Sequence, residues 1–176
     1  ITGEALEKLL LLFAGARDAI ARNAHRYDSA LLTALIDLPP LDVAALQAEG
    51  EQHPALERLE AVLNRGTLGT ARYQLRFQPE TDQRPATLEV VRRHMGEELT
   101  RWVPMAAFES GELRPLREVA RALDGLVRDG AQIMRGNKSH TISSFAQAQA
   151  WLLEEAKKGR QVQRFKGLGE MNAEQL

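Results

Sequence analysis

Cysteine is absent from this chain of 176 residues. Its absence excludes disulfide bonds, thiolate metal sites and cysteine nucleophiles, and it suits a reducing compartment. The chain also lacks an apolar run near the roughly 20 residues of a membrane span, because charged residues flank its densest apolar stretch, residues 9–13. The first residues have no basic, signal-peptide-like start. We therefore expect a cytoplasmic protein without a membrane partner. Because residue 1 is Ile rather than Met, we also expect this sequence to be a part of a longer chain.

The chain has no strong excess of either charge. Its formal net charge is -1 and its pI is about 6.5, so any contact with DNA must come from a local patch. Hydrophobic residues make up 44% and charged residues 27%, a balance typical of a soluble globular protein. The length fits one domain, or one domain with a small satellite.

The first third of the chain has the period of amphipathic helices. We predict helices over residues 3–26, from about residue 29 to the two prolines at 39 and 40, over residues 42–48, and from Pro54 to the residue before Gly66. Thr2 is expected to cap the first helix. The face of that helix predicted to be buried carries Leu6, Leu10, Phe13, Ile20 and Ala24.

The period then changes to two, which is typical of strands with one dry face. Residues 73–77, 87–90 and 100–103 are predicted to form a small antiparallel meander. A helix follows over about residues 113–127, closed by Gly130. The sequence therefore predicts an α+β fold in which helices flank a small, mostly antiparallel sheet.

The last third carries a further set of predicted elements. A strand over residues 132–134 leads into a polar loop over residues 135–141. Ser144 and Gln147 have the spacing of a capping box, which predicts a helix ending near Lys158. A final strand is predicted over residues 161–165.

Residues that could carry chemistry are scattered. The four histidines are not at metal-ligand spacing, and Ser143 and Ser144 are expected to cap a helix rather than to act as nucleophiles. Glu154 and Glu155 are adjacent, so they point to different parts of a helix and do not form an acid/base pair. We predict no catalytic constellation, no metal site and no cofactor within this chain.

A basic run near the C-terminus is more informative. Five cations lie within ten positions: Lys157, Lys158, Arg160, Arg164 and Lys166. One interpretation is a helix C-terminus with favourable cations, followed by an exposed strand. The other is contact with a phosphate backbone, because Arg164 and Lys166 would share one strand face. Charge alone does not decide between them. Gly167 and Gly169 could cradle a phosphate, although local geometry favours a plain tight turn.

The last fourteen residues carry a family resemblance. They read QRFKGLGEMNAEQL and resemble the QRYKGLGEMNPEQL signature of bacterial type IIA topoisomerase B subunits. Phe165 stands where tyrosine is usual, and Ala173 where proline is usual. Neither difference removes a charge or a glycine. The opening ITGEALEKL also resembles the start of an insertion that Gram-negative gyrase B subunits carry and topoisomerase IV subunits lack.

The resemblance implies a division of the chain. Residues 161–176 would be the C-terminal end of a TOPRIM segment and would rejoin its sheet, whereas residues 1–160 would be an insertion within it. The family's metal-binding carboxylates would lie upstream of residue 1. Magnesium and ATP are implied for the parent enzyme and not for this fragment.

The resemblance also implies partners and contact residues. Partners would be the gyrase A subunit, the remaining B-subunit domains and double-stranded DNA. DNA contact would fall to Arg164, Lys166, Gly167 and Gly169, with Lys157, Lys158 and Arg160 as a secondary basic patch.

Two functional hypotheses follow. The first is a non-catalytic accessory module of an ATP-dependent enzyme that negatively supercoils DNA, acting as a buttress that positions DNA and contacts other subunits. The second is an independent protein-interaction domain unrelated to topoisomerases. A free-standing hydrolase has little support, because no nucleophile, base and orienting group can be named.

Overall fold

The computed structural model describes residues 1–49, 53–65, 71–128 and 130–158. The chain divides into two compact units, residues 1–128 and residues 129–176. The described residues form an α+β fold, as predicted, with a three-stranded and a two-stranded antiparallel sheet. The predicted strand over residues 161–165 and the predicted domain boundary after residue 160 lie outside the described residues.

The long first helix, α1 (Gly3–Asn23), packs against helix α5 (Arg114–Leu123). Thr2 occupies its N-cap position but makes no side-chain capping hydrogen bond. The apolar residues buried on α1 are Leu9, Phe13, Ala16 and Ala19. The predicted face was wrong except for Phe13: Leu6, Leu10 and Ile20 are half-buried and Ala24 is exposed. Ala16 and Ala19 are fully buried and lack bulk, which lets the neighbouring backbone approach this side of the helix closely.

Three shorter helices follow: α2 (Ser29–Ala34), α3 (Val43–Glu49) and α4 (Pro54–Arg65). Asp28 caps α2 by accepting hydrogen bonds from the backbone N–H groups of Ala30 at 2.9 Å and Leu31 at 3.2 Å. The prediction that this helix continues to the prolines was wrong. The chain leaves α2 through turns that place Ile36 in the core, where it is 3% exposed.

The predicted meander is confirmed, with longer strands than expected. Strands β1 (Ala71–Gln78), β2 (Thr87–His94) and β3 (Glu97–Pro104) pair in that order. The register places Leu75 beside Val90, on the face that contributes to the core. Met95 and Gly96 connect β2 to β3 with φ angles of 49° and 84°. This left-handed pair is what a two-residue hairpin turn requires.

A 3₁₀-helix (Met105–Glu109) connects the sheet to α5. Arg117 holds its end, donating from Nη1 to the carbonyl oxygens of Phe108 at 2.6 Å and Ser110 at 2.9 Å. The prediction that α5 runs to residue 127 and closes at Gly130 was wrong. Gly125, at φ 68°, follows the last helical residue closely and provides the left-handed position that ends a helix.

The second unit is described over residues 130–158. Strands β4 (Gln132–Arg135) and β5 (Lys138–Thr141) form a hairpin, and helix α6 (Phe145–Lys158) follows as predicted. The predicted loop over residues 135–141 was wrong, because residues 138–141 pair with β4. All four residues of β5 are exposed, so the strand has no alternating apolar signal. Among the described residues, no helix has the length and apolar character needed to cross a membrane.

Candidate functional site

The predicted basic patch begins at the C-terminal end of α6. Lys157 and Lys158 are the last two residues of this helix, where cations interact favourably with the helix dipole. The other residues predicted for DNA contact lie outside the described residues: Arg160, Arg164, Lys166, Gly167 and Gly169. The structure therefore describes the two lysines alone from that set.

The start of α6 is fixed by the predicted capping residues. Ser144 Oγ accepts a hydrogen bond from the Gln147 backbone N–H at 3.3 Å. Gln147 Oε1 in turn accepts one from the Ser143 backbone N–H at 2.9 Å, one residue earlier than in the usual capping box. These hydrogen bonds satisfy backbone donors and fix the helix from which both lysines project.

Both lysines form ion pairs with acidic residues of their own helix. Lys157 Nζ lies 3.2 Å from Glu154 Oε1, and Lys158 Nζ lies 2.6 Å from Glu155 Oε1. A third cation, Lys138 of β5, reaches Glu155 Oε2 at 2.6 Å. Glu155 is 8% exposed. Because its carboxylate pairs with Lys138 of β5 and Lys158 of α6, it bridges the hairpin and the helix.

The electrostatics of this bridge stabilise the charged forms. Hydrogen bonds from Lys138 and Lys158 lower the pKa of Glu155 to about 2. The hydrogen bond to Glu155 likewise raises the pKa of Lys158. The His140 and Trp151 rings stack nearly parallel across the same hairpin and helix, with centroids 6.2 Å apart. Lys158 therefore helps to hold this unit together through Glu155, whereas the ion pair of Lys157 lies within α6 between two exposed side chains.

A second polar cluster, not anticipated from the sequence, joins α2 to the sheet. Asp28 is 8% exposed and accepts a hydrogen bond from the Tyr73 hydroxyl at 3.3 Å. Arg92 Nη1 lies 3.9 Å from Asp28 Oδ2. Burial raises the pKa of Tyr73, and the nearby Asp28 carboxylate adds to the rise. Because Asp28 also caps α2, the cluster is a structural junction.

Helix α4 covers part of the outer edge of β1 through two side chains. Asn64 Oδ1 accepts a hydrogen bond from the Tyr73 backbone N–H at 2.8 Å, and Asn64 Nδ2 donates to the Tyr73 carbonyl at 3.0 Å. Glu60 Oε2 accepts from the Leu75 backbone N–H at 3.0 Å. These side chains replace a neighbouring strand. They also line a groove of about 420 Å³ between α4 and β1, where their polar groups bind this backbone edge.

Two of the histidines make structural contacts. His53 Nδ1 accepts a hydrogen bond from the Ala55 backbone N–H at 3.1 Å near the start of α4, and His140 stacks on Trp151. Within residues 1–49, 53–65, 71–128 and 130–158, no group of three or more histidine, aspartate or glutamate side chains could hold a metal ion.

The outer face of the first sheet carries a further set of polar side chains. The sequence shows Arg72, Gln74 and Arg76 alternating with buried residues. The strand register, which sequence alone did not give, places Arg76 beside Glu89, and Glu89 beside Trp102. The side chain of Trp102 is 50% exposed. The alternation of polar and apolar residues in the sequence indicated this face on each strand. The sequence did not give the register, which decides which residues of the three strands lie beside one another.

The contacts described above do not identify the family of this protein, whereas comparison with known families does. The sequence model of the family described as "DNA gyrase B subunit insert domain" matches residues 1–156, which is 156 of the 176 residues. Membership implies a parent type II topoisomerase, an enzyme of the isomerase class, and association with other gyrase subunits. The match covers the whole first unit and residues 129–156 of the second. The chain belongs to the family of DNA gyrase B subunit insert domains.

Proposed function

We propose that this domain is a non-catalytic buttress of DNA gyrase, which contacts neighbouring gyrase domains and helps to position DNA. The family match over residues 1–156 is the observation that carries the proposal. It favours the gyrase hypothesis over an independent interaction domain unrelated to topoisomerases. The parent enzyme would use ATP and magnesium to supercoil DNA negatively in the cytoplasm.

The placement within the TOPRIM domain rests on residues 163–176. Their resemblance to the type IIA signature supports a chain that leaves the TOPRIM sheet before residue 1 and returns over residues 161–176. Residues 1–160 then form the insertion. Reading the residues that flank this segment in the full gene tests the placement: an acidic, metal-binding TOPRIM half must precede residue 1.

A structural rather than catalytic role agrees with how the buried carboxylates are used. Asp28 caps α2 and accepts a hydrogen bond from Tyr73, and Glu155 lies between two lysines. Each acid is thus bound by groups that hold the fold together. Magnesium and ATP would belong to other parts of the parent enzyme.

Within this chain, DNA contact is assigned to Arg164 and Lys166, with Gly167 and Gly169 allowing a close turn. Lys157 and Lys158 contribute less, because each already forms an ion pair with an acid of α6. Arg160 completes the secondary patch. Arg164 and Lys166 would contact phosphates, which give affinity that depends on salt but not on base sequence.

The DNA assignment is tested in the assembled gyrase by duplex DNA titration at several salt concentrations. Lys166→Ala is expected to weaken binding and to reduce the slope of log K against log salt by about 1. Lys157→Ala is the matched control and is expected to change the slope less. An unchanged affinity and slope in Lys166→Ala would remove the assignment.

The buttress role is tested separately. The isolated chain is expected to bind duplex DNA only weakly even at low salt, because its net charge is -1. Gyrase lacking residues 1–156 is expected to supercoil more slowly, with its ATP turnover measured as a control. Supercoiling at the full rate in that deletion would contradict the role.

A further inference from the structure

The outer face of the three-stranded sheet combines an exposed aromatic with paired charges. The strand register places three cross-strand rows on this face: Arg72, Arg93 and Glu98; Gln74, Val91 and Thr100; and Arg76, Glu89 and Trp102. The opposite face carries buried apolar residues, including Leu75, Phe77, Leu88, Val90 and Val103. The sheet therefore has one face in the core and one face with long polar side chains.

This outer face carries a buried valine and a partly exposed tryptophan. Val91 is 3% exposed although it lies on the outer side, because it sits between Gln74 and Thr100 in the ladder. Trp102, in the next row on β3, is 50% exposed. An indole that is half exposed leaves apolar area in water, and burying it would be favourable.

Among the described residues of this face, Arg72 is the arginine that forms no ion pair. Arg93 pairs with Glu98 at 2.7 Å, and Arg76 lies 3.9 Å from Glu89. Arg72 stands directly opposite Arg93 in the ladder, an arrangement that is unfavourable for like charges. Among the described residues no acid forms an ion pair with Arg72. A carboxylate supplied by another molecule would relieve this repulsion.

The composition favours a protein over DNA as the occupant. Two glutamates lie within the face, and their carboxylates would repel a phosphate backbone. Interfaces with DNA are strongly positive, whereas tryptophan and arginine surrounded by polar groups are typical of the contacts that carry protein–protein affinity.

The size of the face indicates what kind of protein partner it fits. Three strands of eight residues cover a face of about 25 Å by 15 Å. That area is roughly half of the 800 Å² that each partner buries in a standard interface. Such a contact suits a neighbour already held in the same assembly, because a linked neighbour has a high effective concentration.

We propose that this outer face, between Trp102 at one corner and Arg72 at the other, docks a surface of a neighbouring gyrase domain or subunit that combines an apolar patch with one carboxylate. The neighbour covers the indole with apolar groups and places a carboxylate beside Arg72. The inference rests on the buttress function proposed above and identifies the surface through which the buttress acts.

Hydroxyl-radical footprinting with peptide mass spectrometry tests whether the face is covered. Oxidation of Trp102 is compared between this chain alone and the assembled gyrase, with and without duplex DNA. We expect at least threefold protection in the assembly without DNA. Unchanged reactivity in the assembly, or protection only when DNA is added, would overturn the proposal.

Two variants test the energetic contribution. In the parent B subunit, Trp102→Thr and Arg72→Glu are each expected to weaken the assembly, or to lower supercoiling at limiting subunit concentration, by tenfold or more. Arg121→Glu, an exposed arginine on α5, is the matched charge-reversal control and is expected to change neither. Circular dichroism and urea midpoints of the variants establish that they fold.

The outcomes separate this inference from the buttress proposal. If deleting residues 1–156 impairs supercoiling while folded Trp102→Thr and Arg72→Glu variants behave as the original, the buttress role stands and this surface is wrong. If Arg72→Glu lowers duplex DNA affinity and leaves assembly unchanged, the face binds DNA and the protein-docking proposal is overturned.

Discussion

At the scale of single residues, a few buried polar groups connect elements that are distant in sequence. Asp28 caps α2 and also accepts a hydrogen bond from Tyr73, which lies 45 positions further along the chain. Glu155 likewise connects two elements of the second unit, because it forms ion pairs with Lys138 of the hairpin and Lys158 of the helix. Such groups are costly to disturb because each has several partners.

Asp28→Ala is expected to lower the free energy of unfolding by about 2 kcal/mol, because it removes a helix cap and a buried hydrogen bond together. Asp42→Ala is the matched control, since Asp42 caps α3 from an exposed position; its cost should be about 1 kcal/mol. Urea denaturation measures both. Equal losses in the two variants would show that the Tyr73 junction contributes nothing.

The second residue-scale prediction concerns acid. The folded pKa of Glu155 is lowered from an ordinary 4.5 to about 2, so its contribution to stability is fully present above pH 4.5. It is lost as the pH falls towards 2, because the unfolded state then binds the proton more readily. Glu155→Gln should remove this part of the pH dependence. An NMR titration of the Glu155 carboxyl with a midpoint near 4.5 would contradict the prediction.

At the scale of elements, the sheet depends on helix α4 at one edge and on a left-handed turn between β2 and β3. Asn64 and Glu60 bind the outer backbone groups of β1, and Met95 with Gly96 reverses the chain. Both features act on the pairing of the strands rather than on the core.

Asn64→Ala is expected to destabilise the protein by about 2 kcal/mol, because it leaves the Tyr73 backbone N–H and carbonyl without their side-chain partners. Glu57→Ala, on the exposed side of the same helix, is the control and should cost less than 0.5 kcal/mol. Thermal or urea unfolding gives the comparison. A loss no larger than that of the control would mean that water replaces Asn64 without penalty.

Met95→Asn is expected to stabilise the hairpin by about 0.5–1 kcal/mol, because asparagine adopts positive φ more readily than methionine and suits the first position of this turn. Met95 is 89% exposed, so little packing is lost. Gly96→Ala should have the opposite effect, since an added Cβ meets nothing within 4 Å and the cost is backbone strain alone. A destabilised Met95→Asn variant would contradict this account.

The sequence predicted most helices and the first sheet because these have apolar residues at a clear period. The prediction from sequence failed where the spacing of apolar residues carries no information. Strand β5 is exposed along its whole length, so nothing in residues 138–141 distinguishes it from a loop. The burial of small alanines on α1 instead of Leu6 and Leu10 depends on the neighbour α5, which no local pattern reveals. For the same reason, the lysine pairs with Glu155 and the grouping of Trp102 with the arginines required the fold.

At the scale of the whole molecule, the two units differ in how many apolar side chains are buried among their described residues. The buried apolar residues described in the second unit are Ile133, Ile142, Phe145 and Ala148, whereas the first unit buries many more. Local opening costs less where fewer apolar contacts must be broken. We expect amide hydrogens of β4, β5 and α6 to exchange at least tenfold faster than those of β2, as measured by mass spectrometry. Equal protection would contradict the prediction.

The covering of β1 by α4 also limits how copies of this domain can associate. A sheet with two bare edges can add strands from both sides and grow into a fibre. Here Asn64 and Glu60 occupy backbone groups on part of one edge, so strand addition is less favoured at β1 than at β3, the other edge of this sheet. Strand addition through β3 alone pairs two copies edge to edge and then stops, so this covering favours a dimer over a growing polymer.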